Sequence, residues 1–435
     1  MDDIRPTTGD SQWFTHDRFG LFIHWGLYAL PARHEWIKQH EKLSNGEYEK
    51  YFKHFDPDLY DPEVWAKAAA GAGMKYFVIT TKHHEGFALW DSKLTDYKAT
   101  KTPYGQDLLS PMVDAFRGQN LRTGFYHSLI DWHHPDFLVD DLHALRQYPN
   151  RAELNAGREQ QRYIDYLHGQ VRELLTEFGE VDVMWFDYSY PSKEGWEGKG
   201  HLDWDSAKLA KLVRELQPGI LLNDRLDLPD DPASWDIKTP EQYQPQTWVR
   251  FQGQRVVWES CQTFSGSWGY HRDEQTWKSV DQLVQMLIES VARGGNLLLN
   301  VGPTGRGEFD ARALDRLAGI GEWMKRHSRS IYGCTQAPDG FTAPKNCELT
   351  FNPATNRLYV HVFAWPFQQL HFPGLGERVE YAQLLNDASE VKIHVHKPTD
   401  EYHAQGELPG EGNATLRLPV IKPDVTVPVI ELFLK

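Results

Sequence analysis

The feature that most constrains the fold is an alternation, repeated between Asp61 and Gly307, of a helical segment, a Gly or Pro stop and a short apolar run. Buried apolar strands that alternate with amphipathic helices are typical of parallel β/α units. The predicted helix and strand pairs are 62–72 with 76–80, 108–117 with 122–128, 160–178 with 181–186, 206–216 with 220–223, and 279–293 with 296–301.

A first strand at 21–24 raises the number of predicted strands to six, and the irregular region 235–268 has room for two more. Eight strands with intervening helices predict a (β/α)8-like (TIM) barrel over residues 1–332, with its last helix at 311–329. The competing layout, a doubly wound sheet, usually carries a glycine-rich phosphate turn after its first strand. Because this sequence has no such turn there, the barrel is the preferred prediction.

The pattern changes at about Gly333. Segments 357–364, 390–396, 415–418 and 427–434 alternate apolar and polar residues with period two, and Pro, Gly and Asn separate them. Period-two strands with such breaks predict an antiparallel β-sandwich domain over residues 333–435.

Charge and composition restrict the partners. Lys and Arg number 46 against 61 Asp and Glu, a net charge of −15, which disfavours nucleic acid and anionic membrane surfaces. No apolar run approaches the roughly 20 residues of a membrane span, and the first residues do not resemble a signal peptide. Three cysteines without CxxC spacing indicate neither a disulfide framework nor a zinc knuckle. We therefore expect a cytoplasmic protein with no membrane or nucleic-acid partner.

Aromatic residues form 13% of the chain, with 16 Trp, and there are 20 His. Aromatic faces pack on the apolar faces of sugars while His and carboxylates bond their hydroxyls, so the composition fits a carbohydrate ligand. A large aromatic core explains the same numbers.

Active sites of β/α barrels lie at the carboxyl ends of the strands. Trp185 and Asp187 share one face of their strand because alternate residues point the same way. The polar and aromatic residues at the six predicted strand ends are His24 and Trp25; His83, His84 and Glu85; Tyr126, His127, Asp131 and Trp132; Trp185 and Asp187; Asp224 and Arg225; and Asn300.

Each of these residues also has a purely structural interpretation, as a helix N-cap, a buried histidine pair or an ion pair. Metal binding is the main rival use of the histidines. Barrel metal sites usually need His-x-His or an adjacent carboxylate at ligand spacing, whereas His83 and His84 are neighbours that should project in divergent directions on an extended chain. The sequence therefore predicts no metal and no cofactor, and hydrolysis that relies on carboxylates.

The chain resembles the α-L-fucosidases of glycoside hydrolase family 29. The motifs that carry the resemblance run in that family's order from Phe19 to Gly307: FGLFIHWGLYALPA, EW, YFVITTKHHEGFALWDS, GFYHSLIDWHHP, WFD, NDR, SWGY and GGNLLLNVGPTGRG. The resemblance implies exo-acting, retaining hydrolysis of terminal α-L-fucose from an oligosaccharide or glycoside, without a metal.

The resemblance also implies residue roles. Asp187 of WFD corresponds to the family's nucleophile, whereas Asp182, at the start of the same strand, should lie at the opposite end of the barrel. The implied fucose-binding residues are His24, Glu35, Trp36, His83, His84, Tyr126, Trp185, Arg225 and Trp268.

The acid/base residue has two candidates, Glu241 in KTPEQY and Glu259 in VVWESC. Family members with a TPE segment soon after NDR use that glutamate, so Glu241 is preferred and Glu259 is expected to be a structural partner near SWGY. Two features depart from commoner members: Tyr188 follows WFD where Gly is frequent, and residues 191–205 form a Gly-containing insertion. A fucose-binding protein without turnover, a metal-dependent barrel hydrolase and a homo-oligomeric assembly are left open by the sequence.

Overall fold

Strands from Phe19 to Val301 build a parallel barrel. The structure, a computed structural model, describes residues 4–228, 234–396 and 412–435. The first ten strands are β1 (Phe19–Ile23), β2 (Tyr76–Lys82), β3 (Arg122–Ser128), β4 (Val183–Asp187), β5 (Leu221–Leu222), β6 (Ile237–Lys238), β7 (Arg250–Phe251), β8 (Gln254–Arg255), β9 (Val257–Thr263) and β10 (Asn296–Val301).

Eight of these strands form one sheet in the order β5, β4, β3, β2, β1, β10, β9, β6, and every pair in it is parallel. A parallel bridge between Asn223 and Ile237 joins the two edge strands, so the sheet closes on itself. The barrel prediction is confirmed, and β6 and β9 are the two strands expected within 235–268.

Helices cover the barrel: α1 (Gln12–Asp17), α2 (Ile37–His40), α3 (Asn45–Lys53), α4 (Pro62–Gly71), α5 (Leu109–Gly118), α6 (Arg151–Asn155), α7 (Gln160–Glu177), α8 (Ser206–Leu216), α9 (Val280–Ala292) and α10 (Ala311–His327). Local sequence fixes several starts: the Asp61 carboxylate accepts from the first turn of α4, and Ser279 forms a capping box with Gln282 at α9. The short α1, α2, α3 and α6 lack a long periodic pattern and were not predicted. None of the described helices has the length and hydrophobicity that crossing a bilayer demands.

Between β5 and β6, and again between β6 and β9, the described residues contain no helix, and the second connection carries the β7–β8 hairpin instead. The repeating helix signal therefore fails in this stretch, which explains why the sequence located its strands only by region.

Alternation along β4 separates the two sides of the barrel wall. Val183 and Trp185 lie in the apolar cluster inside the barrel, whereas Met184 and Phe186 belong to the cluster under the helices. Asp187 continues the phase of Trp185, so its carboxylate points inward at the carboxyl end of the barrel.

The C-terminal part has two antiparallel sheets. Its strands are β11 (Thr335–Gln336), β12 (Cys347–Asn352), β13 (Arg357–Val362), β14 (Gln369–Phe372), β15 (Val379–Leu384), β16 (Lys392–Val395), β17 (Ala414–Arg417) and β18 (Val429–Leu434). The orders are β11-β12-β13-β18-β15 and β14-β17-β16, and side chains of both sheets share one apolar cluster. All four predicted strands are present, while β11, β12, β14 and β15 were not predicted.

Candidate active site

Asp187 is the carboxylate at the end of β4. Its Oδ2 accepts a hydrogen bond from the Tyr126 hydroxyl at 2.9 Å, and its Oδ1 accepts from Arg225 Nη1 at 2.8 Å. The ring of His84 approaches the same carboxylate, with Nε2 3.9 Å from Oδ2. Only 12% of the Asp187 side chain is exposed. Its carboxylate is held in one orientation by two donors, one at the end of β3 and one just after β5.

Arg225 joins Asp187 to the loop that follows β6. The same Nη1 that bonds Asp187 also donates to Glu241 Oε2 at 2.7 Å. Because both oxygens bond one nitrogen, they lie no more than about 5.5 Å apart, which fits the carboxyl separation of about 5 to 5.5 Å in retaining glycosidases. The guanidinium is fixed in turn by Thr239, which accepts from Nε and Nη2.

The charges of this trio are coupled. Burial raises the pKa of Asp187 above its ordinary value, while the positive charge of Arg225 opposes that rise and the nearby Glu241 adds to it. Burial disfavours the charged guanidinium, yet the Asp187 carboxylate and its neighbours hold the pKa of Arg225 above the ordinary value. Arg225 therefore stays cationic and, together with the hydrogen bond from Tyr126, opposes the rise in the pKa of Asp187 that burial causes.

Three histidines line the same end of the barrel. Burial lowers the pKa of His24 to about 3 and holds those of His83 and His84 well below the ordinary value, so all three rings are neutral at pH 7. His24 Nδ1 bonds Asn300 Oδ1 at 2.6 Å, His84 Nδ1 bonds Ser128 Oγ at 2.6 Å, and the buried Nδ1 of His83 has no partner among the described residues. Neutral imidazoles with a free ring nitrogen can bond sugar hydroxyls.

The expected divergence of His83 and His84 is wrong. Their ring centroids are 4.1 Å apart and tilted by 39°. Both residues follow the last residue of β2, where the chain turns, so strand alternation does not apply to them. Even so, no group of three or more His, Cys, Asp or Glu among the described residues has the arrangement of a metal site.

Glu35 and the SWGY segment form the far wall. Glu35 Oε2 accepts from the Gly269 backbone at 2.9 Å, and its buried Oε1 accepts no hydrogen bond from the described residues. Burial raises the pKa of this carboxyl. Asn300 donates to the Trp268 carbonyl at 2.7 Å, and the Trp268 ring lies 5.1 Å from that of His24.

The aromatic side chains join these groups into one network of contacts. Trp36 contacts the His84 ring at 5.0 Å, and Tyr126 stacks on Trp185 at 5.7 Å. The Arg225 guanidinium carbon lies 4.6 Å from the Trp185 ring centroid. The structure thus brings together, through one chain of contacts, all of the predicted site residues: His24, Glu35, Trp36, His83, His84, Tyr126, Trp185, Asp187, Arg225, Glu241 and Trp268.

Glu259 is placed elsewhere than expected. It is fully buried inside the barrel, where Oε2 accepts from the Tyr76 hydroxyl at 2.8 Å and Oε1 from Trp185 Nε1 at 3.0 Å. Its neighbours are thus the amino end of β2 and the underside of Trp185 rather than the SWGY segment. Burial raises the pKa of Glu259 to about 7.

Other polar residues at the strand ends have structural roles. Asp131 pairs with the buried Lys82 and caps the turn at His133 and His134. Asp224 accepts from Thr239 and pairs with Lys238. Asp182 binds Arg122 and the Thr123 amide at the start of β3, at the opposite end of β4 from Asp187.

Glu85 is likewise used for structure. It accepts from the Leu27 amide and from the Tyr48 hydroxyl. Burial raises its pKa to about 7. It therefore fixes the turn after β1 rather than the pocket wall.

Sequence reasoning missed several supporting residues. Asn223 accepts from the Phe186 amide and donates to the Phe186 carbonyl, each at 2.8 Å, and so clamps the backbone just before Asp187. Ser128 orients His84, and Thr239 orients Arg225. The Asn of the NDR motif was the sequence signal that could have identified Asn223. The roles of Ser128 and Thr239 could not be identified from sequence, because they depend on which loops meet in space.

Tyr188 explains one departure from the family pattern. Its φ is 76°, in the left-handed region that favours glycine, so a Gly is the less strained residue directly after the nucleophile. The tyrosine ring contacts Trp36 at 5.1 Å and His84 at 5.3 Å. Beside it, a cavity of about 240 Å³ is lined by Asp187, Tyr188, Ser189, Asp224, Arg225 and Asp227.

Similar proteins are known over most of the length of this chain. A model of the Alpha-L-fucosidase family matches residues 5–329. Alpha-L-fucosidase isoenzyme 1 from Paenibacillus thiaminolyticus is 43% identical, with a TM-score of 0.89 and 98% of each chain covered. A trapped covalent intermediate of a GH29 alpha-L-fucosidase from Bacteroides thetaiotaomicron, in complex with 2-fluoro-fucosyl fluoride, is 28% identical, with a TM-score of 0.81, covering 98% of this chain and 95% of that one.

A curated relative, the alpha-L-fucosidase of Dictyostelium discoideum, is 28% identical over an alignment of 460 positions. The alignment covers 99% of this chain and 92% of the relative. The family match extends over the whole barrel, including every residue of the pocket. This chain therefore belongs to the α-L-fucosidase family, glycoside hydrolase family 29, and is a glycoside hydrolase.

Proposed function

We propose that this chain removes terminal α-L-fucose from oligosaccharides or glycosides with retention of configuration, using Asp187 as nucleophile and Glu241 as acid/base. The single observation that carries the assignment is that both carboxylates bond the same Arg225 nitrogen. Two carboxylates at this separation support the double-displacement route, because they can flank one glycosidic bond without room for a water between them.

In the first step an Asp187 oxygen forms a bond to the anomeric carbon as the glycosidic bond breaks, and Glu241 gives its proton to the departing oxygen. Glu241, now a carboxylate, then removes a proton from water while that water displaces Asp187 from the anomeric carbon. The products are fucose in its original configuration and the regenerated enzyme. The cation Arg225 and the Tyr126 hydroxyl supply the charge stabilisation that keeps buried Asp187 ionised before attack.

The remaining pocket residues are proposed to bind the sugar. His24, Glu35, His83 and His84 carry the polar atoms that hydroxyls need. Among the described residues His83 Nδ1 has no hydrogen-bond partner, and Glu35 Oε1 accepts no hydrogen bond, with His34 Nδ1 3.4 Å away. Trp36, Trp185 and Trp268 offer apolar surface for the ring and the C5 methyl. A sugar with a hydroxyl on C6 would bring a polar group against apolar surface, which should lower kcat/KM by roughly 10²-fold. The cavity beside Tyr188 is proposed to accept the leaving group.

The stereochemical course tests this proposal. An NMR time course on an aryl α-L-fucoside should show the α anomer of fucose first, before mutarotation. A first-formed β anomer would contradict the double displacement. Incubation with a chelator, followed by the same assay, should leave the rate unchanged, and activity that is lost and then restored by a metal would favour a metal-dependent hydrolase.

We further propose that residues 333–435 form a β-sandwich domain that docks on the barrel from residues 1–332. Trp323 of α10 donates to the Val427 carbonyl at 2.8 Å, and Val427 and Val429 lie in the barrel's apolar cluster. A chain ending at residue 332 should therefore melt at a lower temperature than the full chain.

A cytoplasmic location is supported by the free, buried thiols of Cys261, Cys334 and Cys347, and cell fractionation tests it.

A further inference from the structure

Glu259 is a buried carboxyl group for which the reaction has no direct use. The residue is 0% exposed. Its Oε2 accepts a hydrogen bond from the Tyr76 hydroxyl and its Oε1 accepts one from Trp185 Nε1. It pairs in register with Asn296, the first residue of β10, and so lies toward the amino ends of these strands. A group so placed cannot reach a leaving-group oxygen.

The indole that Glu259 holds contacts both donors of the nucleophile. Tyr126 stacks on Trp185 with ring centroids 5.7 Å apart and planes 22° apart, and its hydroxyl donates to Asp187. The Arg225 guanidinium, which donates to the other oxygen of Asp187, lies 4.6 Å from the same ring. Trp185 is therefore the common support of the two groups that orient Asp187.

We propose that Glu259 is a positioning residue: by holding the Trp185 indole from inside the barrel, it fixes Tyr126 and Arg225 and thereby the orientation of Asp187. A carboxyl group is suited to this task because its two oxygens accept from two donors at once, Tyr76 and Trp185. Without this anchor the indole is free to rotate or shift within the barrel, and the donors that rest on it move with it. This inference rests on the proposed function, because it takes Asp187 and Glu241 as the reacting pair.

The test compares Glu259→Ala, Glu259→Gln and Tyr76→Phe with the wild type on two substrates, 4-nitrophenyl α-L-fucoside and a fucosyl-oligosaccharide. Glu259→Ala should lower kcat/KM on the order of 10²-fold, the effect of misplacing a reacting group by about 1 Å. The loss should be the same for both leaving groups, should appear mainly in kcat, and should not respond to azide.

The two other variants separate positioning from general stability. Glu259→Gln keeps an oxygen that accepts from Trp185, so kcat/KM should return to within about tenfold of the wild type. Tyr76→Phe removes the other hydrogen bond of the same carboxylate, and it should lower the melting temperature while kcat/KM stays at the wild-type value. Equal losses in Tyr76→Phe and Glu259→Ala would overturn the proposal, as would unchanged kcat/KM in Glu259→Ala.

Glu259→Asp carries the test if the alanine variant does not fold. Its shorter side chain keeps the charge and withdraws from the indole, so kcat/KM should fall about tenfold, the worth of one hydrogen bond to a charged group. In a Trp185→Phe background, which lacks the N–H donor, the same Glu259→Asp change should cost nothing further. Full additivity of the two changes, or unchanged kcat/KM in Glu259→Asp, would overturn the proposal.

Two results keep this inference distinct from the proposed function. Retained activity of Asp187→Gly would remove the function itself, whatever the Glu259 variants do. A loss in Glu259→Ala that spares the nitrophenyl substrate and is rescued by azide would instead identify Glu259 as the acid/base residue and overturn its positioning role.

Discussion

The end of β4 and the loop after β6 each present one carboxylate to the pocket, and they do so very differently. Asp187 stands on a barrel strand, is 12% exposed and is held by Tyr126 and Arg225, whereas Glu241 stands on a loop, is 41% exposed and is bonded through Arg225. A nucleophile needs one fixed line of attack on one sugar. An acid/base residue must also meet a leaving group and a water from the open side, so exposure suits it.

The largest expected effect comes from the fixed side of this comparison. Asp187→Gly removes the group that forms the covalent bond, so kcat should fall by roughly 10³- to 10⁵-fold while the enzyme still binds fucose. Azide should enter the vacated space and give a fucosyl azide of inverted configuration. The kinetics on 4-nitrophenyl α-L-fucoside and NMR of the azide product measure both. Near-full activity of Asp187→Gly would show that Asp187 is not the nucleophile.

The exposed side should depend on the leaving group. Glu241→Ala should lower kcat/KM for a fucosyl-oligosaccharide by roughly 10²- to 10⁴-fold, because its poor leaving group needs a proton. The first step on the nitrophenyl fucoside should survive, with a burst of nitrophenol, a lowered KM from accumulated intermediate and acceleration by azide to a product of retained configuration. An equal loss on both substrates would mean that Glu241 is not the acid.

Arg225 links the two regions, and its charge can be tested separately from its shape. Arg225→Gln removes the cation that lowers the pKa of Asp187, so that pKa should rise and the acid limb of kcat/KM should move to higher pH. The rate should also fall on the order of 10²-fold. Arg225→Lys is the matched control, since it keeps the charge but not the fork that bonds both carboxylates and Thr239. Arg225→Lys should lower kcat/KM while the acid limb of its pH profile stays near the wild-type position. The same acid-limb position in Arg225→Lys and Arg225→Gln would contradict an electrostatic role for Arg225.

The smallest effect on catalysis is expected at the other end of β4. Asp182→Asn weakens the hydrogen bonds to Arg122 and the Thr123 amide, and it should lower the free energy of unfolding by about 1 kcal/mol. Denaturant unfolding and kcat/KM, measured on the same preparation, provide the check. A drop in kcat/KM comparable to that of Arg225→Lys would show that the two ends of β4 are not independent.

Much of the barrel could be predicted from sequence because its signal is local. Strands 122–128 and 296–301 and helix 206–216 were predicted with the bounds that the structure has. The phase of Trp185 and Asp187 also follows from the period of a strand. The short strand β6 and the β7–β8 hairpin lack this repeating signal, and only the pairing of Asn223 with Ile237 shows how the barrel closes.

The candidate site divides along the same line. Residues on strand ends or in ordered motifs, such as His24, Asp187 and Arg225, were found from the sequence. Supporting contacts were not, because Ser128 with His84 and Thr239 with Arg225 join different segments, 44 and 14 positions apart, whose meeting depends on the fold. His83 and His84 show that a local rule can also mislead. Strand alternation predicted that their side chains diverge, but the chain turns just after β2 and brings the two rings together.

The sequence by itself determined the fold class and the family, since these depend on repeated local patterns and on motifs in a fixed order. The same motifs single out Asp187 as the proposed nucleophile. The tertiary structure supplied the geometric support for preferring Glu241 over Glu259 as the proposed acid/base residue. Both glutamates follow Arg225 in the chain, and the sequence favoured Glu241 only through its TPE segment. In the structure the loop after β6 brings Glu241 to the Arg225 guanidinium, and the register of β9 against β10 buries Glu259 beneath Trp185. Which end of the barrel a side chain reaches depends on strand register and loop path, and these are set by the packing of the whole barrel.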